Sequence, residues 1–330
     1  MMKSSEVTVL DGKSVLVTGG TGSFGRRFIK TILREQGPRR VVVFSRDELK
    51  QYEFRQEVGD DPRLRFFIGD VRDRGRLWRA FDGVDIVVHA AALKQVPAAE
   101  YNPFEAIKTN IYGAQNIIDA ALDRDVERVI ALSTDKASSP INLYGATKLV
   151  SDKLFVNANA YSGTHQTRFS VVRYGNVIGS RGSVVPYFQR LAPTGVIPIT
   201  DERMTRFWIT LDQGVEFVIR MIGAMHGGEL FVPRVPSMRL LDLAAAVAPE
   251  ARIEIVGIRP GEKLHEEMIG VDDARRTRDA GDFYVMQPDV DWWNGAAWRD
   301  AELVPEGFRY TSDTNSLWLS VEDLRRMIDG

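Results

Sequence analysis

The sequence predicts an α/β fold, a doubly wound parallel sheet with a smaller C-terminal substrate-binding domain. Three observations carry this. Short apolar runs alternate with helical segments through the first half of the chain. A glycine cluster, Gly19-Gly-Thr-Gly-Ser-Phe-Gly25, joins the first run to the first helix. Prolines and glycines then crowd residues 175–198, consistent with a crossover into a separate lobe. Apolar strands separated by helices imply parallel pairing with helices on both faces.

The elements follow in order. Lys13 to Thr18 reads as the first strand and Ser23 to Arg34 as the first helix. Arg40 to Ser45 and Asp47 to Val58 form the next pair, and Arg65 to Ile68 and Asp73 to Phe81 the third. Asp85 to Ala90 is a fourth strand, followed by one long helix from Asn102 to Leu122. Arg128 to Leu132 is a further buried strand. Pro140 and Asn142 open a helix that runs from about Leu143 to Ala160. In the second half, helices are expected over Thr210–Ile222, Ser237–Ala248 and Ser320–Ile328. The expected division is 8–175, with a returning segment at about 205–232, for a dinucleotide-binding domain. Residues 176–204 and 233–330 make the substrate-binding domain.

Composition narrows the function. The 330 residues carry 43 Lys and Arg against 45 Asp and Glu, a net charge of -2. That balance gives no general attraction to nucleic acid or to an acidic membrane. Cysteine is absent, which excludes disulfides, thiolate metal sites and a Cys nucleophile. No apolar run is long enough to span a bilayer, and the N-terminus lacks an apolar signal core. The expectation is a cytoplasmic protein with no nucleic-acid or membrane partner. His165, His226 and His265 lack metal-ligand spacing, so no metal is expected. His89 reads as a core or strand-end histidine, and the Trp292-Trp293 pair as packing.

The glycine cluster contains Gly20-x-Gly22-x-x-Gly25. It follows a strand, opens a helix and starts a βαβ unit. Glycines there let the backbone approach a pyrophosphate resting on the helix N-terminus, the Rossmann-type arrangement. Where an NAD site places an acid, the second strand ends in Ser45-Arg46. A guanidinium suits a 2′-phosphate, so NADP is favoured, although Asp47 follows at once. Asp70 after the third strand is placed either for the adenine edge or as a turn cap.

The reacting groups cluster between Ser133 and Lys148. Tyr144 and Lys148 are four apart on the expected helix and share a face. An ammonium beside a phenol lowers its pKa, which makes a general base near neutral pH. Thr134, Asp135 and Lys136 sit just upstream. Taken singly, Asp135 also reads as a helix cap and Lys136 as a solvated cation.

These residues and many others make the chain resemble the extended short-chain dehydrogenases. More narrowly, it is similar to the inverting UDP-N-acetylglucosamine 4,6-dehydratases of pseudaminic-acid-type pathways. The matching segments include Ser45-Arg-Asp-Glu-Leu-Lys50, Gly69-Asp-Val-Arg-Asp73 and His89-Ala-Ala-Ala-Leu-Lys94. They continue through Ser133-Thr-Asp-Lys-Ala137, Asn142-Leu-Tyr-Gly-Ala-Thr-Lys148 and Arg173-Tyr-Gly-Asn-Val177. The last are Gly179-Ser-Arg-Gly-Ser183, Arg203-Met-Thr-Arg-Phe-Trp208 and Gly257-Ile-Arg-Pro-Gly-Glu-Lys263. Ser138-Ser139, Leu93 and Gln95 depart from the family pattern, and residues 273–306 match it poorly.

The resemblance implies a bound NADP that is regenerated in each cycle. Its contacts would be Gly19, Thr21, Gly22, Ser23, Phe24, Gly25, Ser45, Arg46, Asp47, Glu48, Lys50, Asp70, Val71, Ala90, Lys94, Thr109, Tyr144, Lys148 and Val177. Lys94, Asn176, Arg181, Ser183, Arg206 and Arg259 would line the nucleotide-sugar side. A UDP diphosphate suits Arg and Lys donors, although Arg206 and Arg259 could equally be surface ion-pair partners. A homo-oligomer, dimer or hexamer, is implied. In the implied reaction Tyr144 takes the proton of the sugar 4-hydroxyl. Lys136, its pKa lowered, removes the C5 proton, and Asp135, its pKa raised, protonates the departing 6-hydroxyl. Three alternatives stay open: a retaining dehydratase, a UDP-sugar 4-epimerase, and a non-catalytic NADP-binding regulator.

Overall fold

The computed structural model describes residues 8–179, 184–290, 293 and 295–329. Six parallel strands organise the first half: β1 (Ser14–Thr18), β2 (Arg40–Ser45), β3 (Leu64–Ile68), β4 (Ile86–His89), β5 (Arg128–Thr134) and β6 (Arg168–Tyr174). Every residue of β1 and β4 is buried, as strands covered on both faces must be. Between them run α1 (Ser23–Glu35), α2 (Glu48–Val58), α3 (Arg74–Ala80), α4 (Val96–Tyr101), α5 (Pro103–Ile107), α6 (Gly113–Asp123) and α7 (Leu143–Ala158).

The second half adds β7 (Asn176–Val177), α8 (Val184–Leu191), β8 (Val196–Ile199), β9 (Thr205–Ile209), α9 (Leu211–Ala224) and β10 (Leu230–Pro233). It continues with β11 (Ser237–Arg239), α10 (Leu240–Val247), β12 (Arg252–Ile255), β13 (Glu267–Ile269) and β14 (Thr277–Asp279). The last elements are β15 (Phe283–Met286), β16 (Glu302–Leu303), β17 (Tyr310–Thr311) and α11 (Val321–Asp329).

One large sheet has the order β16-β14-β15-β10-β6-β5-β4-β1-β2-β3. It is parallel from β3 to β10, and β15, β14 and β16 continue it antiparallel. Strand order reverses between β1 and β4. The crevice outside the carboxyl ends at such a switch point is where α/β sheets bind ligands. A second, smaller apolar cluster joins Val185, Phe188, Ile197, Trp208, Met238, Leu243 and Leu324. Strands β14, β15 and β16, expected in the substrate-binding part, hydrogen-bond onto the edge of the large sheet.

Two expected elements differ. The single helix over Asn102–Leu122 is instead α5, a π-helical turn at Lys108–Tyr112, and α6, with α4 added before it. Pro103 explains the first break. It lacks an N–H, occupies the first turn of α5, and holds Asn102 out of helical geometry (φ -121, ψ 63). The helix over Ser237–Ala248 begins only at Leu240, because Ser237–Arg239 pair with β9 as an antiparallel strand. Among the described residues, no helix is long and apolar enough to cross a membrane, and no cluster of His, Asp and Glu could hold a metal ion.

Candidate active site

A cavity of about 610 Å³ lies over the carboxyl ends of the central strands. The loop after β1 forms its floor. Gly19 adopts φ +66, and a Cβ there would come within 2.9 Å of the Ala91 amide nitrogen. A Cβ on Gly25 would lie 2.6 Å from the Gly19 carbonyl oxygen. Glycine at these two positions therefore lets α1 pack onto β1 with its N-terminus facing the cavity. Thr21, Gly22, Ser23 and Phe24 line the same wall.

The loops after β2 and β3 close the far end. Ser45, Arg46, Asp47, Lys50, Asp70 and Val71 line it, whereas Glu48 is exposed and does not. Asp47 is committed elsewhere: its Oδ1 accepts the Lys50 backbone N–H at 3.0 Å and caps α2. Asp70 is both turn residue and cavity wall. Its carboxylate accepts from the Arg72 backbone and guanidinium, and lies 3.6 Å from Arg46. Arg46 stays about half exposed on the rim.

Ala90, Lys94, Thr109 and Val177 complete this part of the lining. Burial pushes the Lys94 ammonium below the ordinary lysine range. Thr109 sits in the π-helical turn, and its buried hydroxyl has no partner in the protein. Asn176 Oδ1 is likewise buried and unpartnered on the cavity wall. A cradle that a Cβ would fill, a helix N-terminus and an unpaired buried hydroxyl all fit a dinucleotide.

The reaction centre is built around a tight approach. Asn142 caps α7, its Oδ1 accepting the Gly145 N–H at 2.8 Å. A Cβ on Gly145 would lie 2.1 Å from the Lys136 carbonyl oxygen, so glycine alone lets α7 press onto the Asp135–Ala137 turn. This brings Thr134, Asp135, Lys136, Tyr144 and Lys148 to one wall of the cavity. The Thr134 hydroxyl donates to Asp135 Oδ1 at 2.9 Å.

Electrostatics corrects two expectations. Tyr144 is not brought toward neutrality by Lys148. Burial pushes its phenol up to about 12, and the cation that opposes this is Lys136. Lys148 is itself buried and pushed down, with Asp152 working against the shift. Nor is the Lys136 pKa lowered. Burial acts downward, but the carboxylates of Asp135 and Glu266 outweigh it and hold the ammonium above the ordinary lysine range. Lys136 Nζ lies 3.1 Å from Asp135 Oδ1 and 3.0 Å from Glu266 Oε1. For Asp135 the expected direction is met. Burial, then the negative charge of Glu266, push its carboxyl upward, and its Oδ2 has no partner.

The remaining candidates are dispersed. Arg206 does not reach the cavity wall: its guanidinium donates to the Thr205 and Leu264 carbonyls and lies 3.7 Å from Glu266. Arg259 is exposed and pairs with Glu262 at 2.7 Å. Arg181, Ser183 and Trp292 lie outside the described residues. His89 bonds Thr18 at 2.8 Å, and burial, helped by Lys148, pushes it down to about 3, so it stays neutral. Sequence reasoning missed Glu266 and Glu267. The only local signal was a pair of acids just after Gly261-Glu-Lys263. Glu267 Oε1 accepts the hydroxyls of Ser138 and Ser139, two of the positions that depart from the family pattern. Ser139 is held there at φ +40.

Comparison with known proteins agrees with this geometry. The family described as "Polysaccharide biosynthesis protein" matches residues 15–288. The chain is 53% identical over 326 residues to the UDP-N-acetylglucosamine 4,6-dehydratase (inverting) of Campylobacter jejuni subsp. jejuni serotype O:2, covering 96% of this chain and 97% of that one. It is 39% identical over 285 residues to the UDP-glucose 4-epimerase of Rickettsia conorii, covering 84% and 83%. The X-ray structure of Pen from Bacillus thuringiensis superposes with a TM-score of 0.89 at 37% identity, covering 97% of this chain and 98% of that one. A dTDP-glucose 4,6-dehydratase, DesIV from Streptomyces venezuelae with NAD and TYD bound, gives 0.68 at 26%, covering 76% and 86%. The chain belongs to the polysaccharide biosynthesis protein family, within the extended short-chain dehydrogenases.

Proposed function

We propose that this chain dehydrates UDP-N-acetylglucosamine across C5 and C6 and inverts C5, giving UDP-2-acetamido-2,6-dideoxy-β-L-arabino-hexos-4-ulose. One observation carries the reading. The Asp135–Lys136 turn puts a buried carboxyl and an amine 3.1 Å apart in the cavity that Tyr144 and the glycine loop also line. When bound, a nicotinamide dinucleotide would supply the hydride acceptor and donor that this reaction needs. The protein's residues move the protons.

Tyr144 takes the 4-hydroxyl proton, and the Thr134 hydroxyl is bonded to Asp135. Asp135, its carboxyl pushed upward by burial and by the negative charge of Glu266, is the proposed donor to the departing 6-hydroxyl. Lys136 takes the C5 proton once it has lost its own. Because its neighbours hold it as an ammonium, elimination quickens as pH rises. Lys148, buried one turn along from Tyr144 on the cavity wall, would hold the dinucleotide. The proposed cofactor is NADP, supported by Arg46 on the rim and by Asp47 being spent on the α2 cap. Lys94, Asn176 and Arg259 are the proposed nucleotide-sugar contacts. The reading extends, by resemblance, to a cytoplasmic homo-oligomer acting first in a pseudaminic-acid-type pathway.

A 4-epimerase is the second reading, because relatives at 39% identity carry that name. The Asp135–Lys136 pair argues against it, since epimerisation needs no C5 base and no acid for the 6-hydroxyl. Incubating the purified protein with UDP-N-acetylglucosamine alone, followed by proton NMR, separates the two. A C6 methyl signal supports dehydration. An epimer with its 6-hydroxyl intact overturns it.

A further inference from the structure

Glu266 stands 130 residues from Lys136 in sequence, yet its Oε1 is the nearest carboxylate oxygen to the Lys136 amine. It is only 2% exposed. Burying a carboxylate is costly unless it is paired, so its surroundings matter. The Glu266 backbone is fixed from both sides: its N–H donates to Ser312 Oγ at 2.9 Å, and its carbonyl accepts the Ser312 N–H at 2.8 Å. Ser312 is held in turn by Thr205 at 2.7 Å. Arg206 approaches Glu266 Oε1 at 3.7 Å, while Oε2 is buried with no partner. The carboxylate is thus fixed behind the cavity lining, with the Lys136 amine its nearest cation.

We propose that Glu266 is a positioning residue for Lys136, clamping its amine against Asp135 and so fixing where the C5 proton is taken. This rests on the reading above that Lys136 is the C5 base. A lysine head is a compact charge on a flexible four-carbon stem, and two carboxylates at 3.0 and 3.1 Å remove that freedom. The charged groups facing Lys136 are Asp135, Glu266, Arg206 and the more distant Lys263, with the Tyr144 phenol beside them. Glu266 also raises the Lys136 pKa, so neutral base forms only at higher pH. Removing its charge should move that transition to lower pH, while the amine loses its clamp.

The test compares Glu266→Gln, Glu266→Asp, Lys136→Ala and the double variant Lys136→Ala/Glu266→Gln in the full chain. The readouts are kcat, KM for UDP-N-acetylglucosamine and the pH profile of kcat. For Glu266→Gln, kcat should fall roughly 100-fold, the cost of a misplaced reacting group. KM should stay within about threefold, because the loss lies beyond ground-state binding. The rising limb of the profile should shift to lower pH. Glu266→Asp keeps the charge but not the reach, so it should keep the limb and lose about tenfold in kcat. The double variant should be no slower than Lys136→Ala. A Glu266→Gln enzyme with unchanged kcat and limb overturns the proposal. So does a loss of rate with no limb shift and no rescue by Asp, which marks a merely structural role. Should Glu266→Gln not fold, Glu266→Asp decides: undiminished kcat overturns positioning. Near-normal activity of Lys136→Ala overturns the base assignment itself, and is told apart because it appears without any change at Glu266.

Discussion

Two regions meet at Lys136, and they are built differently. The stretch 133–148 is local: Thr134 bonds its neighbour Asp135, Asn142 caps Gly145, and Gly145 packs on Lys136. The region around 263–269 is assembled from afar. Lys263 donates to the Ser138 carbonyl, Glu266 reaches Lys136, Glu267 reaches Ser138 and Ser139, and Ser312 ties Glu266 down. The first region holds the proposed reacting groups. The second supplies the contacts proposed to set their orientation and charge. The proposed chemistry sits in a short motif, whereas the contacts that surround it span 125 to 130 residues of sequence.

That contrast can be broken in order of effect. Tyr144→Phe removes the proton acceptor of the first step and should lower kcat roughly 10³-fold, with no reduced dinucleotide detectable by absorbance during turnover. Lys136→Ala should be comparably slow, but it should still allow C4 oxidation, so reduced dinucleotide should accumulate. Asp152→Ala attacks the support beneath the motif. Asp152 and Arg173 form an ion pair at 3.1 Å with both side chains 3% exposed, and Ser133 donates to the same carboxylate at 2.7 Å. Leaving Arg173 buried and unpaired should cost about 3–5 kcal/mol in urea unfolding.

The rim should respond more weakly. Arg46→Ala should weaken NADP retention about ten- to hundredfold, read from dinucleotide released on denaturation, and leave NAD binding nearly unchanged. The smallest stability effect belongs to Arg259→Ala. Its pair with Glu262 is solvent-exposed, so unfolding should shift by less than about 1 kcal/mol. A rise in KM for the nucleotide sugar with that small shift would separate a ligand contact from a surface ion pair.

Much of the first region was legible because period and motif are local. The glycine spacing, the alternation of strands and helices, and Tyr144 four residues before Lys148 each sit within one or two elements. The cavity duly gathers Gly19, Arg46, Thr109, Asp135, Lys136 and Tyr144. What escaped needed the third dimension. The π-helical turn that presents Thr109 has no periodicity of its own in the sequence. Ser237–Arg239 became a strand only because β9 offers it an edge. The Lys136 pKa could not be signed without Glu266, whose charge reverses what burial alone predicts. Ser138 and Ser139 looked like stray departures until Glu267 supplied their common partner.

The central claim is an internal dehydration in which hydrogen leaves C4, returns to C6, and C5 is reprotonated from the opposite face. Its most direct test is proton NMR of the product formed in deuterated water from UDP-N-acetylglucosamine. The predicted product is L-arabino by its coupling constants, with deuterium at C5 and the former C4 hydrogen at C6. A product that is wholly D-xylo at early times, or a C4 hydrogen lost to solvent, would contradict it.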